Sequence, residues 1–197
     1  MATTWNPSDK STNITLSGSN LVATCTADLW SGVRGTVAKS TGKWYWEWTA
    51  GTTVDDMVGL MTAGTTLDGT NYANPSTAYI WYSTSGGFYR SGALVFATAN
   101  WGSGDKIGYA YDADAGKIWG SLNGTWANSG DPAAGTGYIW TGAPSGLYPM
   151  FGTDKINDSV TVNFSATTTY TPPTGFSVFD ASAAVAVAPS LLTLGVG

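Results

Sequence analysis

An all-β chain folded as a sandwich of two antiparallel sheets is what the sequence predicts, and three observations predict it. The stretch Lys43-Trp44-Tyr45-Trp46-Glu47-Trp48-Thr49 alternates with period two, so Trp44, Trp46 and Trp48 fall on one face of a strand and Lys43, Tyr45, Glu47 and Thr49 on the other. Each indole carries up to ~250 Å² of mostly apolar surface, so three on one face require a core. Turn signals recur roughly every 8–12 residues, as in a sandwich or jelly roll, and no apolar period of about 3.6 persists over three turns in the body of the chain. Composition agrees: 26 Gly in 197 residues, 10 Trp, 10 Tyr and only 11% charged residues suit short strands and tight turns.

Taken in order, residues 1–12 are polar, and Asn6-Pro7-Ser8-Asp9 is a turn signal. Residues 13–17 and 21–25 flank Gly18-Ser19-Asn20 and read as a hairpin, so 1–29 is an N-terminal hairpin integrated into the sandwich whose body is 30–180. Val33–Val37 is a further strand, and Ser40-Thr41-Gly42 turns into the tryptophan strand. Met57–Met61 is a compact apolar run suited to a strand buried on both sides. Residues 63–78 form a long polar loop, of the length that often carries function. Ala78–Tyr82 and Phe88–Arg90 make a second hairpin, and Asp105–Tyr111 and Lys117–Leu122 a third, followed by the strong turn signal Asn123-Gly124. Residues 127–146 are another long loop. Leu147–Phe151, with Pro149, reads as an edge strand, and Ser159–Phe164 alternates with Val160, Val162 and Phe164 inward.

Several chemistries are excluded by inventory. The chain has no histidine and one cysteine, Cys25, so His-based nucleophile pairs, imidazole metal sites, thiolate metal clusters and intrachain disulfides are all ruled out. A net charge of −5 with scattered cations offers no basic stripe for nucleic acid. Glycoside hydrolysis needs a carboxylate pair, and Glu47 is the only glutamate; the remaining acids are aspartates placed mostly at turns. Asp112-x-Asp114-x-Gly116 is a fragment of a calcium loop lacking its later ligands, and reads as a hairpin turn. No enzyme activity, cofactor or metal is expected. The N-terminus has neither a charged n-region nor an apolar h-region, so no cleaved secretion signal is expected.

A series of motifs then appears in order: Gly42-Lys43-Trp44-Tyr45-Trp46-Glu47, Val58-Gly59-Leu60, Gly104-Asp105-Lys106-Ile107-Gly108, Asp112–Ile118, Leu122-Asn123-Gly124, Leu147-Tyr148-Pro149 and Val160–Phe164. This series, over roughly residues 30–165, resembles the SPRY domain. The flanks Thr4–Lys10 with Ile14–Ser17, and 130–137 with 170–176, are similar to the version found in tailed bacteriophages and prophages. The resemblance implies a concanavalin-like sandwich that binds protein or ligand without catalysis, using loops at one end. It makes the loops at 52–56, 63–78, 83–87, 99–104 and 126–146 candidates. The aromatics Tyr72, Tyr82, Trp101, Trp126, Tyr138 and Trp140 are candidate partner-binding residues, with Asp55, Asp56 and Arg90 as polar company. Each ring has the alternative of plugging its own loop onto the sandwich. Gly120 departs from the pattern, standing where SPRY strands carry a large apolar residue; an extra indole is expected to fill the space.

The last segment, 181–197, is uncharged, and Val185, Val187, Leu191, Leu192 and Leu194 make it a candidate assembly segment. It is too short and interrupted to span a bilayer, which takes ~20 apolar residues. Packing on its own domain and docking on a neighbouring subunit are both open. The resulting expectation is a non-enzymatic virion structural protein: a head decoration, collar or fibre component made in the host bacterial cytoplasm. Its partners are other virion proteins, further copies of itself in a homo-oligomer, and a host-surface glycan or protein. The alternatives are a lectin-like carbohydrate-binding module and, after it, an aspartate-based glycosidase.

Overall fold

Residues 2–180 are described by the structure, a computed structural model. They form two packed sheets. The first runs, in spatial order, β1 (Trp5–Lys10), β4 (Ser31–Gly35), β13 (Tyr148–Thr153), β6 (Asp56–Met61), β7 (Ala78–Tyr82), β8 (Gly87–Arg90) and β9 (Ala93–Ala97). The second runs β12 (Thr125–Trp126), β11 (Lys117–Leu122), β10 (Lys106–Asp112), β5 (Lys43–Ala50), β14 (Ser159–Asn163), β3 (Val22–Cys25) and β2 (Ile14–Ser17). A two-residue strand, β15 (Ser177–Val178), joins β5 in parallel; every other pairing is antiparallel. The expected all-β sandwich is the observed one.

The tryptophan strand is β5, and it lies inside the second sheet between β10 and β14. Its period two survives folding: Trp44, Trp46 and Trp48 point between the sheets into the main core, while Tyr45 belongs to a separate cluster on the outer face. Tyr109, opposite Trp46 on β10, lies 5.9 Å from the Trp46 ring and 5.0 Å from Trp48, and Phe179 approaches Trp46 at 5.1 Å. The Trp48–Tyr109 and Trp46–Phe179 contacts are edge-to-face, a geometry that adds to the stabilisation from area burial alone. The space at Gly120 is filled by Phe88, stacked 4.4 Å from Trp81, rather than by an indole; a Cβ there would stand 2.7 Å from the Phe88 ring.

Three strands differ from expectation. Asn6–Asp9 lies within edge strand β1, whose pairing with β4 shifts register between Trp5 and Lys10; an irregular edge tolerates Pro7 where a central strand does not. Pro149 sits in β13, which is central, between β4 and β6. Pairing with β4 begins only at Met150, so proline stands where a single neighbour is paired and removes at most one ladder bond. The second hairpin extends into an unforeseen strand, β9, at the sheet edge.

Candidate functional site

Two places concentrate polar chemistry. The first is the outer face of the second sheet, where Glu47 projects. Its carboxylate is 2% exposed and accepts the Tyr45 hydroxyl at 2.8 Å and the backbone N–H groups of Thr169 at 2.7 Å and Tyr170 at 2.8 Å. The chain from 165 to 178 therefore crosses this face as a strap. Phe176 anchors it edge-on to Trp119 at 6.0 Å, and Tyr170 lies against Gly124. Burial, then the Glu47 carboxylate, pushes the Tyr45 phenol above its usual range, so it stays a hydrogen-bond donor. The one glutamate is thus a clamp with its acceptors in use.

The second place is one end of the sandwich, where the loop between β5 and β6 meets the turn between β13 and β14. Asp158 is fully buried and accepts the N–H groups of Val54 (2.9 Å) and Asp55 (2.9 Å) and the Thr153 hydroxyl (3.1 Å). Asp56, also fully buried, receives no donor at either oxygen. Burial, followed by the charge of Asp158, pushes its pKa up to about 9. A protonated Asp56 that donates to Asp158 satisfies one of its two oxygens. The sequence shows only an Asp-Asp dipeptide here; the partner at 158 is supplied by the fold.

The five candidate loops do not share one end. The ladder registers place 51–55, 83–86 and 98–105 together, joined by Thr84 to Asp55 (3.1 Å) and by the N–H of Gly104 to the Ala50 carbonyl (2.8 Å). Residues 62–77 and most of 127–146 lie at the opposite end, where Ala143 N–H bonds to Gly116 and Gly146 N–H to Lys39.

Half of the candidate rings also point inward. Tyr72 is fully buried, its hydroxyl bonded to the Leu67 carbonyl at 2.8 Å, and its ring fills a slot over Gly32 and Gly152 on adjacent strands. Trp101 and Trp140 are buried, the latter 5.7 Å from Tyr79 and 5.3 Å from Phe88. These three, with Asp56, are core residues and are corrected as surface anchors: indole and phenol rings at strand ends gain more from the apolar interior than from water. Gly152→Ala is expected to test the Tyr72 slot, costing about 1–3 kcal/mol in urea denaturation because the ring has no room to retreat.

Other candidates keep some surface. Arg90 is partly exposed, donating from Nε to the Ser76 carbonyl at 3.0 Å and lying over the Tyr79 ring at 4.5 Å. Tyr82 is half-buried between Trp30 and Tyr89, with burial and then Asp55 raising its phenol. Asp55 is partly exposed. Trp126 packs on Tyr45 at 6.1 Å, and Tyr138, 36% exposed, lies 6.3 Å from Trp119 with Lys117 Nζ 4.9 Å from its ring. Trp126 and Tyr138 thus share the outer face of the second sheet. Val185, Val187, Leu191, Leu192 and Leu194 lie outside the described residues.

Exposed aliphatics went unforeseen. Leu29, Val54 and Ile156 stand at the end near Asp158, with Ile156 N–H bonded to Asp28 at 2.9 Å, and Leu94 and Val95 lie on β9. Single aliphatics inside turn-rich stretches give no periodic signal.

No family model matches the sequence, and no curated protein matches it. Among solved structures, the SPRY domain of human HERC1 matches with a TM-score of 0.68, covering 80% of this chain and 96% of that chain, at 14% identity. The chain has the SPRY-type β-sandwich fold. No helix among the described residues is long and apolar enough to cross a membrane.

Proposed function

We propose that this chain is a non-enzymatic structural protein of a bacteriophage virion, a head decoration, collar or fibre component that presents a SPRY-like sandwich as a binding module for virion proteins and the host surface. The observation that carries the non-catalytic part is the closed outer face of the second sheet. Glu47 is used in holding the strap, and the facing acids Asp56 and Asp158 are sealed from solvent, which leaves the loops and the tail as the working surfaces. The virion part is supported by the flanking motifs at 4–10, 14–17, 130–137 and 170–176 and by the uncharged segment 181–197, which suits burial in an assembly. Quantitative mass spectrometry of purified particles is expected to find the chain at a fixed copy number. Particles without it overturn the assignment.

A second reading, a carbohydrate-binding module, is favoured by Tyr138 and Trp126 on one face beside Lys117. Stacking platforms of this kind lose most of their affinity when the ring goes. Tyr138→Ala with Trp126→Ala is expected to lower glycan-array binding by about tenfold or more, a loss of ~1.4 kcal/mol. An array with no signal from the unaltered chain removes this reading. An aspartate-based glycosidase has the least support, because the Asp56–Asp158 pair is buried and Asp154, which faces Asp55, is paired with Lys155 Nζ at 3.1 Å.

A further inference from the structure

Strand β9 ends the first sheet and is paired on one side only, with β8. The N–H of Thr98, the residue after it, donates to the Gly86 carbonyl at 2.9 Å, so Ala97 and Gly87 face each other without a mutual hydrogen bond. In an antiparallel ladder such a residue turns its N–H and its C=O away from its neighbour, and Ala97 therefore offers a donor and an acceptor at the open edge. The strand is apolar throughout, with Leu94 54% and Val95 45% exposed, and no charged residue occurs from 91 to 104. Leu94 lies on the outer face, over Gly87 and beside Tyr89, whereas Phe96 lies on the inner face, 6.4 Å from Phe88.

The other sheet edges among the described residues are blunted, as unpaired strands in natural proteins generally are. β1 carries Pro7, Asp9 and Lys10, and the chain just before it is tied down where the Thr3 N–H donates to the Asp180 carboxylate at 2.8 Å. At β2, the Lys10 ammonium covers the edge by donating to the Ile14 carbonyl at 2.6 Å. β12 and β15 are two residues long. β9 has one such device, the bulge at Val95, which opposes no residue of β8; it bends the strand and leaves the outward side of Ala97 open.

We propose that β9 pairs antiparallel with β9 of a second copy of this chain, about a two-fold axis that passes perpendicular to the sheet between the two Ala97 residues and joins two first sheets into one. The two Ala97 residues then exchange N–H···O=C bonds, each supplying what the other lacks. Such an axis keeps outer faces outer, so Leu94 of both copies extends the row that Tyr82 and Tyr89 begin, and Phe96 of both extends the inner layer. The strand is thus its own complement, and this favours a second copy over another protein. Charge agrees, because chains of net charge −5 approach one another most easily along an uncharged edge. The joined sheet has β1 at both ends, so the pairing closes at two copies. The inference deepens the proposed function by naming a copy of this chain as a partner, and it rests on that reading only for where the dimer is used.

The test is sedimentation of the full chain, with hydrogen exchange read at Ala97. One strand pair is a small interface, so a weak dimer is expected, present by ~0.5 mM and lost on about hundredfold dilution. The Ala97 amide should exchange about tenfold slower or more in the concentrated sample, while the exposed amide of Gly142 should not change. Ala97→Pro removes the outward donor, which has no partner in its own chain, and Leu94→Lys sets a charge on the seam. Each should raise the dissociation constant about tenfold or more with native near-ultraviolet circular dichroism; Leu29→Lys, an exposed aliphatic beside β4 on the far side of the sheet, should not. If the proline variant does not fold, Leu94→Lys carries the test. A chain monomeric at ~0.5 mM overturns the pairing, as does a dimer that survives Leu94→Lys or leaves exchange at Ala97 unchanged. Failure here leaves the virion assignment standing, and particles without the chain leave the pairing standing.

Discussion

Glu47→Ala is expected to lower stability by about 3–5 kcal/mol and to release the strap across the second sheet. Charge-assisted hydrogen bonds contribute ~1.5–3 kcal/mol each, and a buried donor left without its acceptor costs its desolvation as well. Here the losses fall on the Tyr45 hydroxyl and the N–H groups of Thr169 and Tyr170. The total stays below the plain sum because the strap can lift and hydrate its freed N–H groups. Two measurements check this: the urea midpoint should fall, and amide exchange should speed up at 169 and 170 well before the core of β5 opens. Glu47→Gln, keeping one acceptor oxygen, should lie between the two. Unchanged exchange at 169 and 170 in the alanine variant would show that Phe176 alone holds the strap.

Asp56→Asn is expected to stabilise the protein, and by an amount that grows with pH. The Asp56 carboxyl is pushed up to about 9 in the folded chain by burial and by Asp158, while in the unfolded chain it returns to the ordinary carboxylate value near ~4. The folded state therefore holds a proton that the unfolded state has lost. Stability from this group is complete below pH ~4 and falls as pH climbs toward 9. Asparagine keeps the shape, donates to Asp158 as the protonated acid does, and cannot ionise. Each unit of pKa difference is worth ~1.4 kcal/mol, so at pH 8 the variant should gain roughly 2–4 kcal/mol after allowance for relaxation around the charge, and near pH 4 almost nothing. Thermal unfolding at the two pH values reads the difference. An equal shift at both would mean that Asp56 is ionised in the folded protein.

The two acids illustrate what sequence reading could reach. Asp56 was legible as a residue of a candidate loop but not as a buried acid, because what seals it is Asp158, about a hundred positions away and brought near only by the β13–β6 ladder. Tyr72 was misplaced for the same kind of reason. It sits in a polar loop, and the slot that receives it consists of glycines on β4 and β13, strands that become neighbours only in the sheet. By contrast, β5 was legible in detail because its alternation is local and reports burial directly. The hairpin β10–β11 was legible too, since Asp112 accepts the N–H groups of Asp114 and Ala115, the turn chemistry its sequence announces. Strand β9 is an apolar run, Ala93–Ala97, like Met57–Met61, but it lies mostly exposed at the sheet edge and its pairing with β8 carries a bulge, so no alternation marks it. Local periodicity thus exposed the elements, whereas the burial of loop side chains depends on contacts that only the finished sheets create.

The bond between Thr3 and Asp180 has a consequence for how such a domain can be carried. It brings the two flanks of the described chain within one hydrogen bond of each other, at 2.8 Å. Topologically the sandwich is a ring with a single open joint. A larger polypeptide could hold it as an insert within one of its own loops, entering and leaving through neighbouring points about one strand spacing apart (~5 Å), with no need to stretch the host or the guest.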